Sequence, residues 1–115
     1  MQRIESYSFG RMTISGTTYN RDLIIFPDGR ILCPWWRKEG HVLAGGDLTE
    51  LLAMQPEIIV VGTGASGLMT PEGELVDTLK EREIDLVALP TAKAAERFNT
   101  LAADRKTGGC FHLTC

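Results

Sequence analysis

Apolar positions along this chain change their rhythm near residue 57. Before that point they come in short alternating bursts separated by turn residues; after it they come as a continuous run, then at spacings of three and four, then as a run again. A period of two marks strands and a period near 3.6 marks helices. The second part therefore predicts strand, helix, strand, helix and a last strand, preceded by a first part of short strands and turns. The pivot is Glu57-Ile-Ile-Val-Val-Gly-Thr-Gly-Ala-Ser-Gly67, where β-forming residues run into a glycine-rich turn. Residues 57 to 61 are thus expected to be a buried strand at the centre of a sheet, with a ligand loop at its end.

Ile4 to Phe9 and Met12 to Ile14, broken by Gly10 and Gly16, predict two strands of a meander. Leu23-Ile-Ile-Phe26 and Ile31-Leu-Cys33 flank Pro27-Asp28-Gly29-Arg30 and predict a hairpin, because proline presets one turn torsion and glycine accepts the positive φ that closes it. Pro34 stops the second arm. Trp35 and Trp36 follow, and in an extended segment they cannot both face the core.

Asp47 and Glu50 resemble a capping box, and Leu48, Leu51 and Leu52 share a helical face ended by Pro56. Thr70-Pro71-Glu72 supplies an N-cap, a first-turn proline and a first-turn acid for a second helix with the stripe Leu75, Val76 and Leu79. Ile84 to Leu89 is the next strand. Pro90-Thr91 caps a third helix whose apolar face is Ala94, Ala95, Phe98, Leu101 and Ala102, with Lys93, Glu96, Arg97, Thr100 and Asp104 turned to solvent. Gly108-Gly109 then breaks the chain before a strand from Cys110 to Thr114. Strand, helix and strand over 57–89 imply a parallel pair with a right-handed crossover, which brings the glycine loop and Pro90-Thr91 to one rim.

With 115 residues, 43% of them hydrophobic, residues 1–115 form one domain of ordinary size. Such a chain buries roughly two-thirds of its unfolded surface. The longest apolar run is far short of the roughly 20 residues of a membrane span, and Arg3, Glu5 and Arg11 stand where a signal peptide would be apolar. Three scattered cysteines make no disulfide framework. A soluble, cytoplasmic protein with reduced thiols is expected. Residues 1–46 carry a net charge of +2 and residues 47–115 a net −5. That polarity can orient an encounter with another protein but lacks the concentrated basic face a nucleic acid requires.

Gly62-Thr-Gly-Ala-Ser-Gly67 matches the dinucleotide fingerprint in letters only. The next helix does not open within it, no acid ends the following strand, and Leu68-Met69 replaces the Lys and Ser/Thr of a phosphate loop. A softer expectation is a small anion or metabolite held by Gly62, Thr63, Gly64, Ser66, Thr91 and Asn99 beyond the carboxyl ends of parallel strands. Asn99, a poor helix former inside a helix, is expected to bond the glycine-loop backbone.

Cys110, His112 and Cys115 mimic metal-ligand spacing, but Cys110 and His112 share a strand face without a fourth ligand, so no metal is expected. Neither His41 nor His112 has a neighbouring Ser or Asp that suggests a triad. With no complete catalytic constellation, the residues weigh against an enzyme and require no cofactor. Trp35, Trp36, Arg37 and Lys38 are the candidate protein-interaction residues, since Trp and Arg are enriched at binding hot spots.

Three stretches in order, Trp35-Trp36-Arg37, Val60-Val-Gly-Thr-Gly64, and Leu89-Pro-Thr91 leading to Ala95, Phe98-Asn99 and Leu101, resemble domain-of-unknown-function family 498. That family includes a mitochondrial complex I assembly factor and an adipogenesis-associated protein. The resemblance spans nearly the whole chain, and Thr91 to Leu101 is its most specific part. It implies a compact α/β fold with helices on a mixed central sheet, an additional N-terminal β-hairpin or meander layer, and no established catalytic residues. Gly108-Gly109-Cys110 departs from the aliphatic, alanine-rich run usual there. Two functions remain in play: a non-enzymatic protein-interaction or assembly module, whose partner is another protein or, weakly, a second copy of this one, and a small-molecule or anion binder, or an enzyme, using loop 62–67 with Thr91.

Overall fold

The computed structural model describes residues 2–115. A mixed five-stranded sheet forms its centre, in the order β5-β4-β10-β7-β9. The strands are β4 (Leu23–Ile25), β5 (Ile31–Leu32), β7 (Ile58–Thr63), β9 (Asp85–Leu89) and β10 (Thr107–His112). β7 lies parallel to both β9 and β10, whereas β4 is antiparallel to β10 and to β5. The hairpin β4–β5 is the one predicted; its turn is closed by the Gly29 N–H donating to Phe26 O, with Gly29 at φ +92°. A separate antiparallel sheet, β1 (Ile4–Ser8), β2 (Arg11–Ile14) and β3 (Thr17–Tyr19), supplies the N-terminal layer. Its third strand was not foreseen, because Thr17-Thr-Tyr19 is too short and polar to show a period.

Alternation along the strands sorts the core into two clusters. Ile24, Ile59, Val61 and Cys110 join Trp35, Leu48, Leu51, Leu75 and Leu79 on one side of the sheet. Leu23, Ile25, Val60 and Phe111 join Ala94, Phe98, Ile4, Met12 and Ile14 on the other. Helices α1 (Thr49–Ala53) and α2 (Gly73–Glu81) thus cover the first face. α3 (Thr91–Ala102) and the N-terminal sheet cover the second.

Five sequence expectations need correction. The middle position of the sheet belongs to β10, with β7 beside it, because the α3 crossover carries the chain over β7 to its far side. Gly108-Gly109 does not break the chain but lies inside β10, all of whose residues are buried. A Cβ on Gly108 would stand 2.5 Å from Leu51 Cδ1, and one on Gly109 2.9 Å from Phe98 Cδ1, so absent side chains let helices approach both faces of the strand.

Asp47 does not start a helix as an N-cap. It lies inside a 3₁₀ turn, Gly45–Leu48, and its carboxylate accepts the N–H groups of Ala44 and Lys38 at 2.9 and 3.1 Å. The second helix starts at Gly73 because Thr70–Pro71 is taken as a short strand, β8, parallel to β6 (Val42–Leu43). In that helix Leu75 and Leu79, one turn apart, face the core, while Val76 is exposed.

Candidate functional site

β7 and β9 pair with Gly62 opposite Leu89, so their turns do reach a common rim. What fills that rim is protein. Thr91 Oγ1 accepts the Gly64 N–H at 2.9 Å and donates to His112 O at 2.6 Å, stitching α3 to β7 and β10. Thr91 is the first residue of the helix rather than a side-chain cap. The Ala65 N–H donates to Thr114 O at 2.6 Å, the Met69 N–H to Thr63 O at 3.0 Å and the Thr91 N–H to Gly64 O at 3.1 Å.

Gly64 has φ +106°, and a Cβ there would lie 2.6 Å from the Cys115 carbonyl carbon. A Cβ on Gly62 would lie 2.9 Å from Thr91 Oγ1. The glycines are therefore needed for close backbone approach by the protein's own segments. Thr63 is buried and Ser66 exposed. Asn99 does not join this group: its Oδ1 accepts the Ile4 N–H at 2.9 Å and its Nδ2 donates to Ile4 O at 2.8 Å. Its task is to bind α3 to β1, a partner 95 positions away that local reasoning could not supply.

The tryptophan step is built differently. Trp35 is 3% exposed and Trp36 72%, the division that an extended segment demands. Trp35 is held at both ends, its backbone N–H donating to Asp22 O at 2.8 Å and its indole N–H to Asp47 O at 2.9 Å. Lys38 is exposed, but its N–H is fixed by Asp47.

Arg37, named with the tryptophans as an interaction candidate, has its side chain largely withdrawn from solvent. Its side chain is only 5% exposed, its guanidinium carbon lies 4.7 Å from the Trp35 ring centroid, and NH1 is 2.9 Å from Asp22 Oδ2. NH2 donates to Gly40 O at 3.0 Å. A charge removed from water must find an opposite charge, and the interior supplies it here.

His112 completes the cluster. Its side chain is 8% exposed, and Nδ1 lies 2.8 Å from Asp22 Oδ2 and 3.2 Å from Arg37 NH2. A carboxylate only accepts, so Nδ1 carries the proton and donates to Asp22. Asp22 Oδ1 accepts the Leu113 N–H at 2.7 Å. Both carboxylate oxygens are thus engaged. Among the described residues Arg37 Nε and NH1 and His112 Nε2 are buried without a hydrogen-bond partner, although NH1 keeps its ion-pair contact with Asp22.

Sequence reasoning missed Asp22 and left His112 without a partner. One signal was available: a histidine in a strand buried on both faces needs a polar neighbour, and an acid must then come from elsewhere in the chain.

Above the cluster a cavity of about 280 Å³ opens, walled by Arg21, Asp22, Trp35, Trp36, Arg37 and Thr114. Arg21 is exposed and its guanidinium carbon stands 6.0 Å from the Trp36 ring centroid. Of the thiols, Cys110 is buried and pushed up to about 12 by desolvation, which keeps it a neutral core group. Cys33 is raised by burial first, and its Sγ donates to Arg21 O at 3.5 Å. Among the described residues no group of three or more His, Cys, Asp or Glu could hold a metal ion. No helix among them is long and apolar enough to cross a membrane.

Comparison with known proteins covers the whole of this architecture. A conserved hypothetical protein from Pyrococcus horikoshii, PH1505, superposes with a TM-score of 0.84 at 24% identity, over 98% of this chain and 99% of that one. The structure called MT938 gives a TM-score of 0.83 at 30% identity over 100% of both chains. XCC1710 of Xanthomonas campestris gives 0.83 at 21% identity, over 98% of this chain and 85% of that one. The model of the family described as a protein of unknown function, DUF498/DUF598, matches residues 4–112, and the chain belongs to that family.

Proposed function

We propose that this protein is a non-enzymatic interaction module, of use in assembly, and that Trp36 is the anchor of its contact surface. The observation that carries the reading is the exposure of Trp36, 72%, on a segment whose two neighbours, Trp35 and Arg37, are both buried. A large aromatic held out by a clamped backbone loses little conformational freedom on binding, which is the property of a hot spot. The free thiols Cys33, Cys110 and Cys115 fit a reducing compartment, and we place the protein in the cytoplasm.

The small-ligand reading of loop 62–67 draws less support, since Thr91, Thr114 and Gly64 itself already occupy much of its hydrogen-bonding capacity. The test is recovery of partners from lysate on immobilised wild type and Trp36→Ala. Arg37 is left intact, because its loss would disturb the fold. Wild type is expected to retain partners that Trp36→Ala loses; identical recovery on both would overturn the assignment.

A further inference from the structure

The charge around the cavity beside Trp36 is not balanced. Three charged residues line it: Arg21, Asp22 and Arg37. Both Asp22 oxygens are engaged, Oδ1 by the Leu113 N–H and Oδ2 by His112 and Arg37. The Arg37 side chain is buried against Asp22, NH1 in ion-pair contact with Oδ2 and Nε without a hydrogen-bond partner among the described residues. Arg21 is exposed and, among the described residues, forms no ion pair.

Its guanidinium carbon stands 6.0 Å from the Trp36 ring centroid. A guanidinium that is exposed and without an ion-pair partner has its donor fork free for a planar acceptor, the geometry that carboxylates match. Lys38 and Glu39, both exposed in the next turn of chain, offset one another. The unspent charge at this site is therefore positive, in a protein whose remainder from residue 47 onward carries −5.

We propose that the partner read by this site is an acidic peptide segment. A carboxylate side chain pairs with the donor edge of Arg21, and an adjacent apolar side chain enters the cavity against Trp36. This rests on the interaction reading above and gives it a chemistry. The cavity of about 280 Å³ takes one side chain and not a folded surface, so the partner contributes a protruding or extended segment. A basic segment would meet Arg21 head-on and find both Asp22 oxygens already engaged by the protein's own donors. The net −5 over the rest of the chain repels an acidic segment elsewhere and directs it toward residues 20–38.

The probes are two pools of short acetylated peptides, each with a central leucine or phenylalanine. One pool has Asp and Glu at the flanking positions, the other Asn and Gln. Binding to the full chain is followed by tryptophan fluorescence and calorimetry at low and at physiological salt. The acidic pool is expected to bind about tenfold more tightly than the amide pool, the worth of one charge-assisted contact, with the margin shrinking as salt rises.

Arg21→Gln should abolish that margin while leaving the weaker, apolar part of the binding, and Trp36→Ala should weaken both pools alike. Equal binding of the two pools, binding of neither, or a margin that survives Arg21→Gln overturns the acidic assignment. The partners lost by Trp36→Ala in the lysate experiment separate the two readings. If Arg21→Gln also loses them, the acidic reading is supported; if it retains them, that reading fails while the interaction module stands.

Discussion

The glycine loop and the tryptophan step are the two places where a ligand was expected, and they turn out to be opposites. Loop 62–67 has the look of a binding site in its letters, and its glycines let Thr91 and the 113–115 segment come close. The step at 35–38, read from the sequence as a protein-interaction surface, stands on a largely buried cluster of Asp22, Arg37 and His112 that no stretch of sequence contains. Flexible-looking residues made a closed joint, and charged residues made a foundation. Glycine signals that something comes close, but its own sequence neighbourhood cannot say whether that something is ligand or protein.

The contrast can be broken by substitution. Arg37→Met leaves the largely enclosed Asp22 beside a histidine with its main counter-charge gone, and should lower unfolding free energy by about 2–4 kcal/mol in a denaturant titration. Adding Asp22→Asn to that variant should cost less than the same change costs in wild type, because the orphaned charge disappears with it. Purely additive losses would mean that the ion pair is not the foundation described.

A smaller loss is expected at the loop. Thr91→Val keeps the shape but removes an acceptor for the Gly64 N–H and a donor for His112 O, both buried, and should cost about 1–3 kcal/mol. If the loop were instead a ligand cradle with Thr91 held in reserve for a guest, the change would leave stability nearly untouched. Thermal unfolding of the two proteins in the absence of added ligands separates these cases.

Much of the fold could be read before any coordinates. The β4–β5 hairpin, the parallel β7–β9 unit and the apolar face of α3 each follow from patterns contained within about 30 residues, and local pattern is what sequence reasoning handles. The errors fall where a distant segment decided the outcome. Gly108-Gly109 behaves as a strand because Leu51 and Phe98 press on it, and Thr70–Pro71 becomes a strand because Val42–Leu43 lies alongside.

The site divides in the same way. Burial of one tryptophan and exposure of the other followed from strand alternation alone. The anchoring of Arg37 did not, since Asp22 and His112 stand 90 positions apart and are brought together by the antiparallel pairing of β4 with β10. Asn99 was rightly read as a residue with a tertiary task, but its partner was misjudged for the same reason.

The central claim is that partners engage the step and not the loop. Hydrogen exchange by mass spectrometry, run on the free protein and on the complex recovered with wild-type bait, tests it most directly. Protection on binding should concentrate in residues 20–22 and 34–40. Protection confined to residues 62–70 would contradict the account.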